Sequence, residues 1–412
     1  MGVTSIGSVS IENGSSAFDV AVIGGGIVGL SIAWRAAERG MSVALLERGE
    51  PGGGASGVAA GMLAPVCEAE FGAAGRELLE LGMRSAAMWP DFAEELQRSG
   101  EQEVGLRRTG TLVVARDDDE ARELERQLEF RLGLGLRAER LRASEVRERE
   151  PALAPTVRLG LHAPDDHCVD PRRVVAALRR ACEREGVSVR RGEAAVRCRG
   201  DRVEGVSLRP GGAGEGSGRS GALTEPAGGD VSADGPGGDV DAGGAGASAG
   251  AETIDAPVVV AAAGAWSGEL AGLPAGVGVA VRPVKGQIMR LRDPTGPGLL
   301  EGVLRFQGGY LVPRGDGAYV LGATMEERGF EPGATAGGVY RLLRDAHELV
   351  PGVSELRIEE VGFGYRPGSP DNVPIVGRST LDGLLWATGH HRNGVLLAPL
   401  TAATILEELV SG

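Results

Sequence analysis

The stretch FDVAVIGGGIVGLSIAWRAAERGMSVALLERG, residues 18–49, leaves little freedom in how the chain begins to fold. An apolar run from Val20 to Ile23 meets a cluster of glycines. A segment with helical spacing of Ile27, Leu30 and Trp34 follows, and a second apolar run ends at Glu47. Strand, turn, helix and strand in that order are the opening unit of an α/β, Rossmann-like dinucleotide fold.

Within it, Gly24-x-Gly26-x-x-Gly29 sits directly after the strand and opens the helix, the context that gives such a motif meaning. Gly24 permits a tight turn, Gly26 lets backbone approach a pyrophosphate, and Gly29 lets helix and sheet pack closely. The helix N-terminus offers amides and partial positive charge to phosphates. Glu47 can accept a hydrogen bond from a ribose hydroxyl and would repel a 2′-phosphate, which disfavours NADP. A nicotinamide enzyme would continue in regular βαβ units, but here PGGGASGVAAGMLAP follows at residues 51–65. Small residues let backbone lie flat against a large planar group, so a flavin is favoured. APVVVAAAGAWSG, residues 256–268 and including Gly264, reads as a second strand returning to the same domain.

Helical patterns occupy about 76–98, 118–133 and 171–185, the last begun by Pro171. Strands are expected as a short pair near 104–115, from 157, and two or three times in 187–208. Further strands fall near 281–292, 302–306, 309–314, 318–324 and 355–365, with a helix at 335–348 and a final helical run at 394–410. Residues 210–250 are Gly, Ala, Ser, Asp and Pro with almost no large apolar side chain, too little to offset the entropy of ordering, so disorder is expected. Strands on both sides make it a lengthened hairpin, with an interdomain linker as the competing reading.

The expected partition has a flexible arm (1–17), a discontinuous FAD-binding domain (18–75, 155–209, 251–275 and 360–412) and a substrate domain built on an antiparallel sheet (76–154 and 276–359). Excess acid, 57 acidic against 43 basic side chains for a net charge of −14, argues against nucleic acid and anionic membrane as partners. No signal sequence or membrane-length apolar run is visible, so a cytoplasmic location is expected. Cys67, Cys168, Cys182 and Cys198 lack zinc or disulfide spacing, and no metal is expected.

VIGGGIVG with Glu47, AAGMLAP (59–65), PVKGQ (283–287), GYLVPR (309–314), VLGATME (320–326), GYRPGSPDNVPIVG (364–377) and GHHRNGVLLAP (389–399) appear in order along the chain. In these motifs the chain resembles the D-amino-acid-oxidase-like flavoenzymes, and among them the glycine oxidases of thiamine biosynthesis. The resemblance implies a non-covalent FAD, since the cysteine near the C-terminus that anchors flavin in sarcosine-oxidase relatives is missing. It places Ile27 and Val28 at the pyrophosphate and Glu47 and Arg48 at the ribose. Ala195 falls at the adenine, with Ala55, Ser56, Ala60, Gly61 and Met62 along the flavin. His390, His391, Arg392, Asn393, Gly394, Val395 and Leu396 lie at the isoalloxazine, where a helix opened by Asn393 and Gly394 would aim free amides at the flavin N1–C2=O edge.

Arg366 is the residue that the composition of its own segment least explains, a lone cation among glycine, proline and apolar residues. By the resemblance it clamps the carboxylate of an amino-acid substrate, with Tyr310 donating to the same group and Arg392 as a second cation nearby. Met62 and Met325 shape the pocket. The competing role for Arg366 is a structural ion pair with Glu359 or Glu360. GGY at 308–310 puts two glycines where family members often carry bulkier side chains. The implied reaction is oxidation of glycine or another small amine, with O2 as acceptor and a thiazole synthase as a candidate partner. Self-association stays open. The alternatives are a D-amino-acid dehydrogenase passing electrons to a quinone and a non-catalytic flavin-binding subunit.

Overall fold

The computed structural model of the chain describes residues 16–210, 221–222, 251–296 and 298–411. Val20–Ile23, buried throughout, pairs in parallel with Val43–Glu47 on one side and Val258–Ala261 on the other. Strands covered on both faces carry unbroken apolar runs, as do VAVI, VVVA and the VALL that precedes Glu47. The six-stranded sheet runs Ile375–Arg378, Leu384–Thr388, Val258–Ala261, Val20–Ile23, Val43–Glu47, Ser188–Arg191, parallel except for its first pair. Val22, Val43, Leu45 and Val260 face a layer that includes helices Ile27–Glu38, Gly72–Gly100, Pro171–Arg184 and Ala398–Ser411. Their alternates Ala21, Ala44, Leu46 and Val259 face a four-stranded sheet of Ser16–Ala17, Glu252–Asp255, Arg202–Arg209 and Glu193–Arg199.

The second body of structure is a nine-stranded sheet with the long antiparallel pair Arg282–Arg292 and Arg357–Gly368 near one edge, paired from Arg282 opposite Gly368 to Arg292 opposite Arg357 with a register shift between Arg290 and Leu291. Ala318–Gly322, Gly309–Pro313, Val303–Phe306, Thr111–Ala115, Leu159–Ala163 and Glu139–Arg142 continue it on one side. Helix Ala336–Leu349, capped by Thr335, packs Leu342 and Ala346 against Met289, Leu291 and Leu311 of this sheet. None of the described helices is long and apolar enough to cross a membrane.

Several local expectations change. The strand pair near 104–115 is one strand, Thr111–Ala115, with only an isolated bridge from Arg107 to Cys168 before it. The 355–365 strand extends to Gly368, which brings Arg366 into the sheet as the register partner of Val284. The last helix starts at Ala398, not at 394, because His391–Asn393 forms a separate 3-10 turn. Ser16–Ala17 is not part of a flexible arm, since it pairs with Ile254 and Asp255; the rest of that arm lies outside the described residues. Of the 210–250 segment, Gly221–Ala222 pairs with Val361 and Glu360, and the expected disorder of the remainder beyond Pro210 lies outside the described residues.

Candidate active site: a cleft between two sheets

A cleft of about 2290 Å³ begins at the carboxyl ends of the central parallel strands and runs to the face of the nine-stranded sheet. Carboxyl ends are where open α/β sheets bind ligands, because chain reversal there leaves amides unpaired. At this end Gly24 takes φ +108°, and a Cβ on it would stand 2.3 Å from the Ala262 carbonyl oxygen. Gly29 is off the wall; a Cβ there would meet the Gly24 oxygen at 1.9 Å, so its task is helix-to-turn packing. Gly26 opens the helix and faces the cleft. Ser56 Oγ accepts the Ile27 N–H at 2.9 Å, while the Val28 N–H meets no acceptor among the described residues.

Glu47 ends its strand on the wall, each carboxylate oxygen holding one amide: Gly25 at 2.7 Å and Gly49 at 2.8 Å. An oxygen with two lone pairs and one donor retains acceptor capacity for a hydroxyl. The Arg48 guanidinium lies 3.7 Å over the Trp266 ring, and burial lowers its pKa. Ala55, Ser56, Ala60, Gly61, Met62 and Gly264 line the middle of the cleft. Glu193 and Ala194 reach it from the four-stranded sheet, whereas Ala195, a residue further on, does not. A floor of glycine and alanine, an unpartnered helix-terminal amide and a carboxylate with capacity to spare fit an extended dinucleotide such as FAD.

The 390–396 segment borders the far half. Leu396 is buried and off the wall; its carbonyl accepts from Ser85 Oγ at 2.7 Å and Trp89 Nε1 at 2.9 Å, which ties the segment to helix Gly72–Gly100. Asn393 is also off the wall, its carbonyl accepting the Leu397 N–H. His390, His391, Arg392, Gly394 and Val395 are on it. The N–H groups of Val395 and Leu396 meet no acceptor among the described residues. Of the two amides expected at this bend, that of Asn393 is taken by the His390 carbonyl at 2.8 Å. Burial holds both His390 and His391 at about 4, His391 also feeling Arg366 and Arg392, so both rings are neutral at pH 7. His390 Nε2 lies 2.9 Å from Thr401 Oγ1.

Arg366 lies on the wall with Tyr310. Its Nη1 donates to the Thr324 carbonyl at 3.1 Å and approaches that of Lys285 at 3.5 Å, and no carboxylate pairs with it among the described residues. Glu359 and Glu360 pair elsewhere, with Arg292 and with Arg172 and Arg290. Burial raises the Tyr310 phenol pKa, against the pull of the adjacent Arg366, so it is a neutral donor. Two glycines make room for this pair. A Cβ on Gly286 would stand 2.4–2.6 Å from the Arg366 guanidinium, and one on Gly322 would stand 2.8 Å from the Tyr310 hydroxyl.

Glu68 holds the Arg392 Nε at 3.0 Å and Glu70 its Nη2, so two of its three nitrogens already pair with protein acids. Glu68 also faces Arg305 at 3.4 Å. Met325 is 59 % exposed on the wall and Met62 is half-buried. Sequence reasoning assigned no role to Gly286, Glu68 or Arg305. A glycine inside a strand was a readable signal for the first; the other two meet across more than two hundred residues with no local pattern.

A family model described as "FAD dependent oxidoreductase" (DAO) matches residues 19–408. The chain is 32% identical over 392 residues to a glycine oxidase of Geobacillus kaustophilus, covering 95% of this chain and 92% of that protein. It is 34% identical over 392 residues to a bifunctional ThiO/ThiG protein of Synechocystis sp., covering 94% of this chain but only 51% of that one. The crystal structure of glycine oxidase from Geobacillus kaustophilus superposes with a TM-score of 0.80 at 30% identity, covering 96% of this chain and 95% of that one. With a dinucleotide cleft of fitting shape and a family match spanning nearly its whole length, the chain belongs to the DAO family of FAD-dependent oxidoreductases.

Proposed function

We propose that the protein oxidises a small amino acid or amine, glycine foremost, with O2 as electron acceptor. The observation that carries this reading is Arg366: a guanidinium on the cleft wall, steadied by two backbone carbonyls and claimed by no acid among the described residues. A planar fork of donors fixes a carboxylate in orientation as well as position. Tyr310, neutral at its side, donates to the same group. FAD, once bound, supplies the two-electron acceptor.

The chain's own part is to bind and orient. Val28, Glu47 and the glycine turn hold the dinucleotide; the Val395 amide steadies negative charge at its far end; Arg366 and Tyr310 present Cα–H. With both histidines neutral and weakly basic, a substrate amine that binds deprotonated needs no protein base. Loss of two electrons and two protons converts the amine to the imine; water then gives glyoxylate and ammonia from glycine while O2 becomes H2O2. Similarity to glycine oxidase and to the bifunctional ThiO/ThiG protein supports the substrate, and supports delivery of the imine to a thiazole synthase in the cytoplasm. Of the cofactor segments expected at 18–75, 155–209, 251–275 and 360–412, two contribute strands, Leu159–Ala163 and most of Arg357–Gly368, to the nine-stranded sheet that also holds strands of the substrate segments expected at 76–154 and 276–359.

The test is anaerobic addition of glycine, sarcosine and D-alanine to the FAD-loaded protein. Bleaching by one of them, with peroxide on readmission of air, is expected. Bleaching without peroxide would replace the oxidase with a dehydrogenase, and no bleaching by any small amine would remove the substrate class. Arg366→Ala is expected to keep its flavin and lose saturable substrate binding; an unchanged KM would take Arg366 out of the site.

A further inference from the structure

We propose that Gln287 is a positioning residue for the Arg366 clamp, tying the carbonyl that holds the guanidinium to the N-terminus of helix Ala336–Leu349. This rests on the reading of Arg366 as a carboxylate anchor. Gln287 is fully buried on the face of its strand opposite Gly286, so it does not touch the cleft. Its side-chain amide is used on both ends. Oε1 accepts the Thr335 N–H at 2.8 Å, and Nε2 donates to Thr335 Oγ1 at 3.1 Å and to Glu326 Oε1 at 2.6 Å. The same Glu326 oxygen accepts from Thr324 Oγ1 at 2.6 Å, and that hydroxyl in turn accepts the Gln287 N–H at 2.9 Å. Thr324 then presents its carbonyl to Arg366 Nη1 at 3.1 Å.

The chain of bonds therefore runs Thr335, Gln287, Glu326, Thr324, Arg366 without a gap. Burial works to raise the Glu326 carboxyl, but bonds from Thr324 and Gln287 and the charge of Lys285 leave it below its ordinary value, so the acceptor is ionised. Hydrogen bonds to an ionised acceptor are the strong ones, and removing the Gln287 amide also leaves the Thr335 N–H without its acceptor. Thr335 caps a helix whose Arg341, Leu342 and Asp345 form the outer cleft wall. The clamp and the outer wall thus share one buried amide. A substitution at Gln287 should loosen the Thr324 carbonyl, and with it the angle of the fork, while the dinucleotide end is untouched.

Three variants and one non-reacting probe test this. Gln287→Met keeps length and volume without the amide; Gln287→Glu sets a carboxylate against Glu326; Gln287→Glu with Glu326→Gln exchanges donor and acceptor and restores the bond. Glycolate, a carboxylate of substrate size without an amine, is titrated into the oxidised, FAD-loaded protein and read by the flavin absorbance change. The Kd for glycolate should rise ~10-fold in the two single variants, the scale of one net hydrogen bond, and return to within about threefold of wild type in the exchanged pair. Flavin content should hold in all three, and for the reactive substrate KM should rise with kcat kept. A flavin-loaded Gln287→Met with wild-type glycolate affinity would overturn the proposal. So would an exchanged pair no better than Gln287→Glu, which decides the matter even where Gln287→Met fails to fold. Absence of any glycolate signal in the wild type would instead strike at the reading of Arg366 itself.

Discussion

Arg366 lies against bare backbone. The Gly286 Cα under its guanidinium leaves no space for even a methyl group, since the added carbon would sit 2.4 Å from Nη1. Gly286→Ala should therefore displace the fork without altering charge, and steady-state kinetics should show KM raised about 10-fold or more with FAD content intact. Arg366→Lys keeps the charge but not the fork and should fall between wild type and Arg366→Ala in substrate affinity. Arg366 and Tyr310 were legible because each stands in an ordered motif. Gly286 stands in one too, PVKGQ, but its task is to be absent from a space, and that space exists only once Val284 and Arg366 are in register. The acid partners of Arg392 were not legible for the converse reason: Glu68 and Glu70 lie more than three hundred residues earlier, in a stretch with no periodicity to flag them.

Strands and helices with a clean period were readable, as Pro171–Arg184 shows with its Asp170 cap, N1 proline and apolar stripe Val174, Leu178, Ala181. The bend before Ala398–Ser411 was not. His391 takes φ +45°, which the sequence does not announce for a non-glycine residue, and it splits the expected helix into a short turn and a later start. The same bend carries a pH dependence. Folded, His390 and His391 resist protonation down to about 4, whereas the unfolded chain takes up those protons near 6.5. Between these values the unfolded chain binds more protons, so stability rises with pH across the window and is lost as pH falls from 6.5 towards 4. For the fully buried His390 this is on the order of 3 kcal/mol. Asp166, raised to about 6 by burial, acts in the opposite sense over part of the range. The clean measurement is therefore a difference: His390→Gln, which keeps a polar atom near Thr401, should lose less melting temperature between pH 7.5 and pH 5 than wild type does.

The cleft draws its walls from both large sheets, so a dinucleotide filling it touches strand ends around Gly24 and Glu47 and the sheet that carries Gly364 and Arg366. Binding to the folded chain alone stabilises by about 2.7 kcal/mol at a hundredfold excess over Kd. Calorimetry should thus show FAD raising the melting temperature by several degrees, and Gly29→Ala, whose Cβ would strike the Gly24 oxygen, should erase most of that rise. Glu47→Gln should weaken FAD binding less than Gly29→Ala, since it retains one acceptor. Met325 sets a different kind of limit on the whole molecule. Its thioether stands open on the wall of the cavity in which, on the proposed chemistry, every turnover releases a molecule of oxidant. Thioethers turn to sulfoxides under peroxide, so the enzyme should age in proportion to the work it has done rather than to time. Peptide mass spectrometry after prolonged turnover should find the added oxygen on Met325 and not on fully buried Met289, and catalase should slow both that mark and the decline in rate.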